Sequence, residues 1–142
     1  IYQLADIQHG CWHAGNHKIN GNSVGVEISN AFYTKYQDWY AERHGPRPII
    51  DDAVVHGKKL ETHLGFYPVQ IEALKALWGA VANACGIPLE APTKDGELDT
   101  GVNSEVASGK FEGFVNHYNI TNRKIDCAGL DLVKLLNEVK AN

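Results

Sequence analysis

The sequence contains no methionine, and cysteine and proline are sparse, with three and five residues. Its apolar runs extend only a few residues, which excludes a bilayer-spanning helix of about 20 apolar residues. No basic block is present and the net charge is −4. Electrostatics therefore give no reason to expect nucleic acid or an anionic membrane surface as a partner. The odd set Cys11, Cys85 and Cys127 is too thin for a disulfide framework, and Cys11 and Cys85 read as small buried hydrophobes. No signal peptide, internal repeat, low-complexity tract or dividing linker is visible in these residues, so the expectation is one domain over residues 1–142. Residue 1 is isoleucine and no methionine follows it, so processing or an absent N-terminal piece is expected.

What is present describes an ordinary globular chain. At 142 residues, 44% hydrophobic and 21% charged, it is long enough to bury a core without disulfide staples. Ile1 to Leu4 alternates weakly as a short strand. Asn22 to Asn30 places Val24, Val26 and Ile28 on one face, the period of a half-buried strand, with Glu27 opposite them. From Pro68 to Cys85 the period becomes helical, as Ile71, Leu74, Trp78, Val81 and Cys85 recur along one side. Pro68 suits the first turn, Gly86 the C-terminal cap, and Pro88 stops any continuation. A second helix is expected from Leu132 to Lys140, with Asp131 as N-cap and Leu132, Leu135, Leu136 and Val139 inward. Phe111 to His117 reads as a strand ending on the histidine. Ala31 to Tyr67, with a hairpin turning near His56-Gly57, and Leu89 to Lys110, a polar surface loop, look like insertions. Helices mixed with strands predict an α/β domain.

Three groups of residues could carry chemistry. His117 is followed after one loop by Lys124, Asp126 and Cys127. Imidazole nitrogen and carboxylate oxygen are good zinc ligands, and thiolate is another. A zinc ion there would lower the pKa of a bound water and polarise a neighbouring carbonyl, while Lys124 could stabilise an oxyanion. Glu27, on the polar face of its strand, could exchange a proton with a nucleophilic water and a leaving amine. Trp12-His13-Ala14-Gly15 is a compact turn of indole and imidazole. Each alone has a plainer reading: surface polar groups, an ion-paired strand residue, a packed loop.

Together, and in this order, these motifs resemble the zinc-dependent N-acetylmuramoyl-L-alanine amidase family. That family includes phage lysozyme-type amidases, cell-wall-recycling amidases and peptidoglycan recognition proteins. The matching residues are Trp12 to Gly15, Asn22 to Glu27 (NSVGVE), Gln70 through Gly86-Ile87-Pro88, and His117 with Lys124-Ile125-Asp126. The resemblance implies a mixed central β-sheet flanked by helices. It also implies Zn2+ as cofactor, peptidoglycan or a muropeptide as substrate, and hydrolysis of the amide between N-acetylmuramic acid and L-alanine. In those terms His117 and Asp126 are zinc ligands, with Cys127 as the alternative to Asp126. Glu27 and Lys124 are catalytic, and Trp12, His13 and Asn22 lie near the substrate.

The family's first zinc ligand is a histidine on a strand well before the Trp-His-Ala-Gly turn, and only residues 1–11 precede Trp12. The expectation is that this strand, its histidine and a helix lie outside the chain, with His9 a weaker substitute. The Lys-Ile-Asp-Cys-Ala-Gly end also replaces the family's usual Asp-Pro-Gly. A cell-wall-lytic, endolysin-type enzyme follows, made in a host cytoplasm and released or carried on a virion. The rival readings are a non-catalytic peptidoglycan-binding module and a structural virion component on the same fold. The segment from Ala31 to Tyr67 is expected to wall the substrate groove.

Overall fold

The computed structural model describes residues 1–141. In chain order the elements are α1 (His17–Asn20), α2 (Gln37–His44), β1 (Ile49–Ile50), β2 (Val54–Val55), β3 (Lys58–Lys59), β4 (His63–Leu64), α3 (Pro68–Cys85), β5 (Thr93–Lys94), β6 (Glu97–Leu98), α4 (Ser104–Ala107), α5 (His117–Ile120) and α6 (Leu132–Lys140). The chain is thus mixed α/β. Among the described residues the strands form three separate antiparallel pairs, β1–β4, β2–β3 and β5–β6.

The principal core is built by the two expected helices. Pro68 starts α3, whose first turn is closed where the Tyr67 N–H donates to Gln70 Oε1 at 3.1 Å. Gly86 ends it at φ 67°, a left-handed conformation that costs glycine nothing. Asp131 caps α6 by accepting from the Lys134 N–H at 3.0 Å. Leu74 and Trp78 of α3 are buried against Leu130, Leu132, Leu135 and Leu136, with Ile28, Phe114 and Cys127 packed at the margin. A smaller cluster joins Ala53 and Val55 to Tyr118 and Ala128. It fastens the β2–β3 hairpin to α5, and that hairpin turns at His56-Gly57 as expected, both with positive φ.

Several expectations are corrected. The single central sheet does not form among the described residues, and Ile1–Leu4, Asn22–Asn30 and Phe111–His117 are not strands. A strand needs a ladder partner, whereas these segments are held singly. The Ser29 carbonyl is taken by side chains, and Phe114 donates one backbone bond to Glu90 at 2.7 Å. Residue alternation survives without the ladder: Val24, Val26 and Ile28 all line one cavity of about 430 Å³ with Trp78 and Phe114. The segment from Leu89 to Lys110 is more ordered than a loop, holding β5–β6 and α4. Cys11 and Cys85 are exposed rather than buried. Cys11 sits in an exposed N-terminal stretch, and Cys85 is the last residue of α3. No helix among the described residues is long and apolar enough to cross a membrane.

Candidate functional site

The site grows from the turn around His13. Asn20 is buried at the end of α1, and its Oδ1 accepts from the backbone N–H groups of both His13 (3.1 Å) and Ala14 (2.7 Å). That pair of bonds fixes the turn, whose His13 carbonyl meets the His117 ring. The His13 ring is engaged as well: Nδ1 lies 2.7 Å from the Cys11 carbonyl and Nε2 2.8 Å from Ser23 Oγ. It rests on the backbone of Gly25, where an added Cβ would come within 2.8 Å of the ring. Gly25→Ala is therefore expected to displace the imidazole and cost about 1–3 kcal/mol, the usual range for overpacking, read as a lower urea midpoint with an unchanged m value.

His117 does not end a strand; it opens the short helix α5 behind the N-cap Asn116. Asn116 is buried and heavily used. Its Nδ2 donates to the Tyr118 hydroxyl at 2.7 Å and its Oδ1 accepts from the Cys127 N–H at 3.3 Å. One side chain thus ties the start of α5 to the loop carrying Asp126 and Cys127. The result brings His117 Nδ1 into direct hydrogen-bond contact with Asp126 Oδ2, while His117 Nε2 lies 3.0 Å from the His13 carbonyl. Both neighbours are acceptors, so both ring nitrogens are placed to donate, as in an imidazolium. The bond to Asp126 raises the His117 pKa above the usual imidazole value, and the same bond lowers that of Asp126. The nearby Lys124 charge lowers both.

Cys127 is different in kind. It packs at the edge of the principal core, and burial first, then the Asp126 and Glu27 carboxylates, push its thiol up to about 12. Glu27 itself is exposed, and its charge is felt at the Cys127 thiol. Lys124 is exposed too, and its carbonyl lies 3.0 Å from His56 Nε2 at the tip of the β2–β3 hairpin. Of the residues singled out from sequence, His13, His117, Asp126 and Cys127 are thus joined through contacts or adjacency, with Glu27 and Lys124 in electrostatic range. The side chains of Trp12 and Asn22 have other partners. Trp12 is 67% exposed and meets His17 edge-on at 4.9 Å, and the Asn22 amide donates to the Lys18 carbonyl at 2.9 Å.

Two residues of this site escaped the sequence reading as functional. Asn116 had a local signal, since asparagine before a short helix is a standard N-cap. His56 had only its place in a predicted turn; nothing in sequence links it to Lys124, 68 positions away.

In donor chemistry the His117–Asp126 pair suits zinc, which takes imidazole nitrogen and carboxylate oxygen. In number it falls one short of the three protein ligands of a catalytic zinc, because no group of three His, Cys, Asp or Glu side chains is placed to hold a metal among the described residues. Comparison with known proteins gave one finding: the model of a family described as N-acetylmuramoyl-L-alanine amidase matches residues 1–128. No curated protein and no solved structure matches the chain.

Proposed function

The chain belongs to the N-acetylmuramoyl-L-alanine amidase family, and on that premise we propose that it is a zinc-dependent, cell-wall-lytic hydrolase of the amide joining N-acetylmuramic acid to L-alanine. The observation that supports this most is the direct contact of His117 with Asp126, with the Lys124 charge felt by both and the Glu27 charge felt by the neighbouring Cys127. His117 and Asp126 would hold the metal. Asp126 suits this better than Cys127, whose thiol is packed at the core and strongly disposed to keep its proton. Zinc held there would supply a Lewis acid that brings water ionisation toward neutrality and polarises the amide carbonyl.

The chain's own residues then divide the remaining work. The Glu27 carboxylate accepts a proton from the attacking water and passes it to the departing L-alanine nitrogen. The Lys124 ammonium stabilises negative charge developing on the carbonyl oxygen. The backbone of the His13 turn orients His117 through its carbonyl, as second partners of metal-binding histidines do.

The test is product chemistry. Incubation of the zinc-loaded protein with purified peptidoglycan, and separately with a soluble muropeptide, is expected to release new L-alanine amino groups without new reducing sugar ends. New reducing ends would mean glycosidic cleavage and would sink the proposal. One observation favours a second reading, a binding module: the described residues supply two metal ligands rather than three. That reading expects the protein to sediment with insoluble peptidoglycan while releasing no amine at any zinc concentration.

A further inference from the structure

Arg47 stands out in the segment between Ala31 and Tyr67. It is 5% exposed, and no carboxylate pairs with it among the described residues. Its guanidinium lies against two aromatic rings, 4.2 Å from the Tyr40 centroid and 4.4 Å from that of Tyr67. Nη1 donates to the Gly65 carbonyl at 3.1 Å and to Gln70 Oε1 at 3.0 Å, and Nη2 to the Ser29 carbonyl at 3.2 Å. Nε is buried without a partner. A buried cation lacking a counter-ion is a poor source of net stability. What a rigid fork of donors supplies is geometry.

That geometry converges on one atom. The Ser29 carbonyl also accepts from Gln70 Nε2 at 2.8 Å, so a residue of α3 and a residue of the segment before it grip the same oxygen. One position later, Asn30 Nδ2 donates to the Leu64 carbonyl at 2.9 Å. Gln37 in turn holds Arg47 from behind, accepting from its N–H at 3.0 Å and donating to its carbonyl at 2.8 Å. Residues 27 and 29 are two apart in a segment with strand-like alternation and no ladder among the described residues, so this double grip holds the backbone two residues beyond Glu27.

We infer that Arg47 and Gln70 are positioning residues for Glu27, fixing its backbone through the shared Ser29 carbonyl. This rests on the general acid/base role proposed above for Glu27. The segment from Ala31 to Tyr67 thereby acts on the reaction through the backbone and not only as a wall for substrate.

Two variants test it. Arg47→Met keeps the stem and volume but removes the fork. Gln70→Glu keeps an oxygen for Tyr67 and Arg47 but sets a second oxygen against the Ser29 carbonyl, and it carries the test if Arg47→Met fails to fold. Each is expected to lower kcat about tenfold or more, as misplacement of a catalytic group does, with KM little changed. In a Glu27→Gln background neither is expected to lower kcat further, because a residue acting through Glu27 has nothing left to act on. Amide hydrogen exchange at residues 28–31 should quicken in both variants while that of α6 stays unchanged. Retention of the full tenfold loss in the Glu27→Gln background, or unaltered exchange at residues 28–31, would overturn the inference. Wild-type turnover in Glu27→Gln alone would instead remove the role of Glu27, and the positioning role with it. The two failures are distinct because only the second leaves Glu27→Gln fully active.

Discussion

Glu27→Gln is expected to cut turnover of the muramoyl–alanine amide by about a hundredfold or more, the usual loss of a general acid/base, while leaving the folded state intact. The carboxylate is exposed, and among the described residues it makes no hydrogen bond or ion pair that holds the fold. Glutamine keeps the shape and removes only the ability to take and return a proton. The loss should fall on kcat and kcat/KM together, since proton transfer belongs to the transition state and not to substrate binding. Zinc content should be unchanged, which separates this variant from one that loses the metal. Initial rates of amine release, thermal melting and metal analysis on one preparation make the comparison. Near wild-type rates would take Glu27 out of the mechanism.

How much of this was legible in the sequence depends on the range over which each residue acts. The boundaries of α3 and α6 were readable because proline, glycine and an aspartate cap act on their own turn, and because leucines at helical spacing need only each other to form a face. The His56-Gly57 turn was readable for the same reason, as a two-residue event. The strands over 22–30 and 111–117 were not, because alternation says which face is apolar and nothing about whether a partner pairs alongside. Val24, Val26 and Ile28 do share a face, yet no ladder accompanies them among the described residues. The site shows the same split. His117, Lys124 and Asp126 are close in the chain and were found together by motif. The His13 carbonyl meets His117 across 104 positions, and Arg47 reaches Ser29 across 18. Such contacts arise only from tertiary folding, and a lone arginine among aromatics gives no sign that its cation will be buried.

His117→Ala is expected to abolish both zinc binding and turnover, a joint loss that Glu27→Gln does not produce. With the imidazole gone, the pair with Asp126 is reduced to a single carboxylate that cannot retain a catalytic zinc. The wild-type site makes a sharper claim about pH. Without metal, the Asp126 carboxylate favours the protonated form of His117 and raises its pKa above the ordinary imidazole value. A zinc ion must displace that proton, so zinc affinity should rise with pH through the raised His117 pKa and level off above it, with proton release visible by calorimetry in buffers of different ionisation enthalpy. The stability of the metal-free protein should move the other way over the same range. A raised histidine pKa stabilises the fold below the unfolded value, and that contribution is lost as pH climbs through the folded one. Asp126, whose pKa is lowered, contributes above the ordinary carboxylate range and is lost as pH falls through its folded value. The pair therefore stabilises the metal-free protein most between the carboxylate and imidazole ranges, and His117→Ala should flatten that maximum in urea midpoints taken across pH. If instead zinc binds His117→Ala as tightly as wild type, the metal lies elsewhere and the His117–Asp126 contact is an ion pair of the fold.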